Sequence, residues 1–114
     1  MEGNEVCGRN VDTLPLTLDS LVVALCADYK RRAEAIASGT LSRRTMAEFR
    51  YINCKIADAV LEIADKRYVP IYIDEIAKRT GFAYSRVDAL SEISYKTQKQ
   101  MIKVNIAKKL HLIE

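Results

Sequence analysis

Apolar residues recur at three- and four-residue steps through most of this chain, the spacing that lines one face of an α-helix. Leu18, Leu21, Val22, Leu25, Tyr29, Ala33 and Ile36 form the first stripe. Pro15 precedes it and Gly39 stops it, which predicts one long helix between them. Thr40 or Ser42 then caps a second helix, with Met46, Phe49, Ile56, Val60 and Ile63 on its apolar face. The short link between the two predicts an antiparallel hairpin. Asn53 lies on the second stripe. It either fixes the register of paired helices, including across a dimer, or reaches water or a neighbouring backbone from the stripe's edge; the latter is the expectation.

The second helix is predicted to end near Asp65, because Pro70 lacks an amide donor and Lys66, Arg67 and Tyr68 break the period. Residues 68–73 are β-branched and aromatic enough for a short extended piece, although no partner strand is evident. Residues 94–109 then read as a long closing helix, with Tyr95, Ile102, Ile106 and Leu110 on one face. Ahead of all this, residues 1–14 have little periodicity and read as a loose leader. The expected fold is therefore all-α and a single helical domain over 15–114. It comprises a hairpin over 15–65, then a helix-turn-helix and closing helix over 71–114.

The turn carries the most information. A first helix over 74–80, begun at Asp74 or the residue before it, would end at Gly81, which can take the left-handed conformation that other residues resist. A second helix can start near Ala83. Ile76, Phe82, Val87 and Leu90 fall on the side such a pair would bury, and Ala77 is small enough for a close crossing. The segment EIAKRTGFAYSRV resembles the helix-turn-helix of bacterial and phage transcription regulators, with Ala77, Gly81 and Val87 at the family's characteristic spacing. The resemblance covers residues 73–92. Two positions depart from it: Thr80 stands where an apolar residue is usual, and Ala83 where serine or threonine often caps the reading helix.

What the resemblance implies is binding of double-stranded DNA without catalysis. Projecting the second helix puts Tyr84, Ser85, Asp88 and Glu92 away from the core, with Arg86 near the edge of that arc. Arg86 is the candidate base or phosphate contact, and Tyr84 and Ser85 can bond phosphates. Asp88 and Glu92 would meet phosphate repulsion. A second register, in which Ser94 caps a reading helix bearing Tyr95, Lys96, Thr97, Lys99 and Gln100, has better chemistry but lacks a turn glycine, since Ile93 stands there. In both registers Lys96, Lys99 and Lys103 form a stripe suited to phosphates, or a solvated edge with lysine stems over apolar surface.

Charge changes the picture modestly. Residues 66–114 hold ten Lys and Arg against five Asp and Glu, a net +5, whereas residues 1–65 hold eight against ten, a net −2. The basic half contains the turn, as a nucleic-acid binder would have it. Lys30, Arg31 and Arg32 read as a surface run, and Arg43 and Arg44 as an exposed helix end that could face an acidic partner. The composition, 49% hydrophobic with four glycines and two prolines, is that of a folded helical protein.

Three cysteines without C-x-x-C spacing and one histidine suggest neither a disulfide framework nor a zinc site. Cys26 and Cys54 read as small core residues, and His111 as a surface or terminal packing residue. No apolar run is long enough to span a membrane, and acidic residues follow Met1 closely, so a cytoplasmic protein is expected. No glycine-rich phosphate loop or nucleophile motif points to an enzyme, a cofactor or a small-molecule substrate. Dimerisation through the hairpin would double the DNA contacts. The rival reading is a helical protein-interaction module, an accessory or anti-regulator protein, for which Asp88 and Glu92 speak.

Overall fold

The computed structural model describes residues 14–78 and 92–113. Five α-helices carry them: α1 (Leu16–Ala27), α2 (Tyr29–Ser38), α3 (Arg43–Leu61), α4 (Val69–Lys78) and α5 (Glu92–Lys109). A single 3-10 turn, Lys66–Tyr68, leads into α4, and there is no strand among the described residues. The all-α class follows directly.

The expected first helix is broken at Asp28. Its two halves differ in character: α1, LTLDSLVVALCA, is apolar on nearly every side, whereas α2, YKRRAEAIAS, is amphipathic. A polar network fastens the break. Arg32, which is 3% exposed, donates from Nη2 to the Leu25 carbonyl in the last turn of α1, where helical carbonyls lack intrahelical partners. Its Nε donates to Asn53 Oδ1 at 2.7 Å, and Asn53 Nδ2 donates to the Tyr29 carbonyl at 3.1 Å. Arg32 is thus a buried staple rather than part of a surface run, while Lys30 and Arg31 are exposed. Asn53 does reach a neighbouring backbone, but from a buried position rather than from the stripe's edge, and it holds Arg32 across the α2–α3 pair besides.

Gly39 ends α2 in the left-handed region at φ +73°, and Ser42 caps α3 by accepting from the Thr45 amide at 3.2 Å. These two residues turn the chain, and α2 packs chiefly against α3 as the second arm of a hairpin. α3 closes at Leu61, short of Asp65, whose side chain instead accepts from the Arg67 amide at 3.0 Å and starts the next turn.

The extended piece expected over 68–73 is helical. Pro70 occupies the first turn of α4, where its missing amide would have had no intrahelical carbonyl to meet. Consequently α4 begins at Val69 rather than near Asp74, and α5 begins at Glu92, so Ser94 lies within it and does not cap it.

α1 packs on α4 and α3 on α5. Between them lie Val22 and Cys26 from α1, Ile56, Ala59 and Val60 from α3, Tyr72, Ile73 and Ile76 from α4, and Tyr95, Ile102, Ile106 and Ala107 from α5. Each fully buried isoleucine among these contributes about 1.5–3 kcal/mol relative to an exposed one. Cys54 is not one of them. It is exposed on α3, because α3 turns the Asn53–Ile56–Val60 side inward and Cys54 falls on the other.

Candidate nucleic-acid interface

The residues proposed to read DNA divide between two places. Tyr84, Ser85, Arg86 and Asp88 lie outside the described residues, as do Gly81, Phe82, Ala83, Val87 and Leu90 of the turn. Ile76 and Ala77 of α4 are described, the first 1% exposed and the second packed against the core.

What the structure does define is how α4 and α5, the helices on either side of residues 79–91, are fastened together. Tyr72 of α4 stacks on Tyr95 of α5 with ring centroids 5.5 Å apart and planes 18° from parallel. Both rings are buried, and Tyr72 Oη donates to Gln98 Oε1 at 2.7 Å. Burial pushes the Tyr72 phenol up to about 12, so it keeps its proton and remains a donor across the physiological range. Stacked pairs of this kind contribute about 0.5–1.5 kcal/mol beyond their area. The first half of α4 and the first two turns of α5 are therefore held in one relation.

The three stripe lysines sit in different surroundings along α5. Lys96 is exposed. Lys99 is half-buried, with Nζ 5.6 Å from the Tyr95 ring centroid, so its ammonium rests on the same stack. Burial lowers its pKa, and the buried carboxylate of Glu75 on α4 opposes that shift. Lys103 faces elsewhere: its ammonium meets Asp19 of α1 at 2.7 Å, with both side chains about four-fifths covered. Lys103 thus ties α5 to α1, while Lys96 and Lys99 stand at the end of α5 nearer residues 79–91. At the end of α4, Lys78 pairs with Asp74 at 3.0 Å, both partly exposed.

Sequence reasoning missed Tyr72, Glu75 and Gln98. Tyr72 was concealed in an apolar, β-branched run that reads as extended, and once that run is helical, Tyr72 and Glu75 fall on the side facing α5. Gln98 carries no periodic signal at all. His111, in contrast, is exposed just past α5 with φ 60°, as a terminal residue there would be.

Among the described residues no three His, Cys, Asp or Glu side chains come together, and no helix is long and apolar enough to cross a membrane. Comparison of the chain with family models, curated proteins and solved structures returns no match.

Proposed function

We propose that this chain is a DNA-binding regulator of the helix-turn-helix type, acting on double-stranded DNA by binding alone. The observation that carries the reading is the Tyr72–Tyr95–Gln98 clasp, which fastens the two helices that precede and follow the turn segment in sequence, with Lys96 and Lys99 on the first two turns of α5. A reading helix needs a rigid seat, because base contacts discriminate only when the backbone contacts hold its register. The net +5 of residues 66–114 supports the same partner. In this arrangement Arg86, Tyr84 and Ser85 contact the duplex from the turn, and Lys96 and Lys99 supply sequence-independent attraction to phosphates. Lys103 contributes through its hold on Asp19, and through phosphate only if that pair opens.

The test is fluorescence anisotropy of mixed-sequence duplex DNA, titrated at a series of salt concentrations. Binding should weaken with salt, and Lys96→Ala with Lys99→Ala should make the logarithmic slope shallower by roughly one to two. Arg86→Ala should weaken binding to a selected site more than to mixed sequence. A folded protein that binds no duplex at low salt refutes the proposal.

A second reading is favoured by one observation, the exposed outer face of α3 around Tyr51, which suits a protein partner. Under it the chain is a helical interaction module, and the anisotropy titration stays flat.

A further inference from the structure

The outer face of α3, opposite its buried side, has a charge order that is complementary to itself when reversed. Arg44, Glu48, Tyr51, Lys55 and Asp58 follow one another at three- and four-residue steps along it, so all share one side of the helix. Tyr51 is 44% exposed, and an open groove of about 380 Å³ runs beside it, lined by Ala47, Glu48, Tyr51 and Ile52. Arg44 and Asp58 stand at equal distances in sequence on either side of Tyr51, and Glu48 and Lys55 straddle it almost as evenly.

We propose that this face binds a second copy of the chain, with the two α3 helices antiparallel about a two-fold axis at Tyr51. In that arrangement Arg44 of each copy meets Asp58 of the other, and Glu48 meets Lys55. The two Tyr51 side chains fill each other's grooves, a place where tyrosine supplies large apolar area with a polar tip. A parallel arrangement is disfavoured, because it sets Arg44 on Arg44 and Glu48 on Glu48. The contact is isologous, as a closed dimer requires: what each copy offers is what the other accepts.

In the single chain the same groups occupy one another. Arg44 Nε lies 3.7 Å from Glu48 Oε2, at 91% and 60% side-chain exposure, and Lys55 Nζ lies 5.5 Å over the Tyr51 ring. Exposed pairs of this sort contribute little, so exchanging them for pairs between copies costs little. The hairpin pairing expected from the sequence thereby gains a face, a direction and a register. Nothing in it depends on DNA, so its failure and that of the DNA reading are separately visible.

Sedimentation velocity over a range of protein concentrations, without DNA and at physiological salt, tests it. The native chain should show a reversible dimer. Arg44→Glu and Asp58→Arg should each weaken it by at least about tenfold, and the two together should restore it to within about threefold, because the pair is then reversed rather than lost. In a chain with Cys7 and Cys54 replaced by serine, Tyr51→Cys should form a covalent dimer under mild oxidation. Glu34→Cys, on the exposed side of α2, should not. A chain that stays monomeric, a dimer indifferent to both reversals, a double variant as weak as the singles, or a Tyr51→Cys chain that does not cross-link overturns the proposal.

Discussion

Arg32 and Asn53, separated by 21 residues in sequence, meet inside the α2–α3 hairpin with Arg32 Nε donating to Asn53 Oδ1 at 2.7 Å. Arg32 is held among neutral acceptors, the Asn53 amide and the Leu25 carbonyl, and burial lowers its pKa. A buried guanidinium is tolerated only while its donors are satisfied, so the pair is a point of vulnerability. Asn53→Ala removes the acceptor for Nε and the donor for the Tyr29 carbonyl together. It should cost about 2–4 kcal/mol in urea denaturation. Arg32→Met combined with Asn53→Leu should cost clearly less than the sum of the two single changes, since no charge is then left stranded. An Asn53→Ala cost below about 0.5 kcal/mol would show that Arg32 finds another partner.

The turn between α2 and α3 depends on Gly39. A Cβ placed there would meet no atom within 4 Å, so any penalty of substitution comes from the backbone alone, at φ +73°. Gly39→Ala should therefore cost about 1–2 kcal/mol, and Gly39→Asn less, because asparagine tolerates the left-handed region better. Thermal unfolding reads both. Equal melting temperatures for alanine and asparagine would mean that the hairpin turn relaxes.

The cysteines of the described helices should behave as opposites. Cys26 is 2% exposed, and burial pushes its thiol up to about 12, against the attraction of Arg32 and Lys103. Cys54 is exposed, with Sγ 3.7 Å from Asp58 Oδ2. At pH 8 iodoacetamide should alkylate Cys54 in the native protein at least about a hundredfold faster than Cys26, which should react only through unfolding. Peptide mapping by mass spectrometry separates them. Comparable rates would place Cys26 at the surface.

Acid should loosen the seam between α3 and α5 through Glu62. Lys109 and Asn105 both bond its carboxylate, the latter from Nδ2 at 3.0 Å, and these bonds hold its pKa below the ordinary value. A carboxyl depressed on folding stabilises the protein above its unfolded pKa of about 4.3 and loses that contribution as pH falls through its folded value. Glu62→Gln should therefore flatten the fall in stability below about pH 5 while leaving the profile above pH 6 parallel to the native one. An unchanged acid limb in urea titrations would remove Glu62 from the account.

The sequence by itself determined the features that depend on a few neighbouring residues. Three- and four-residue periodicity selected the all-α class, Gly39 stopped one helix, and the cap of the next was narrowed to Thr40 or Ser42, because helix propagation, left-handed turns and caps are decided within a single turn of chain; the structure chose Ser42. The buried side of α3 was legible as far as Ile56 and Val60, and that of α5 through Tyr95, Ile102 and Ile106. For the candidate site, the sequence supplied the lysine stripe but not its differentiation.

Tertiary structure decided how polar groups were paired, and through them where elements broke. Nothing local to Asp28 ends a helix there; the break persists because Arg32, fixed by Asn53 on another helix, takes up the Leu25 carbonyl. Pro70 could stop a helix or begin one, and packing of Tyr72, Ile73 and Ile76 into the core settled it in favour of a beginning. Lys103 could have joined Lys96 and Lys99 in a common stripe, yet α1 brings Asp19 to it across 84 residues. Partners such as these are set by the angles and offsets at which helices pack, and those follow from the summed shape of many side chains rather than from the spacing of any few.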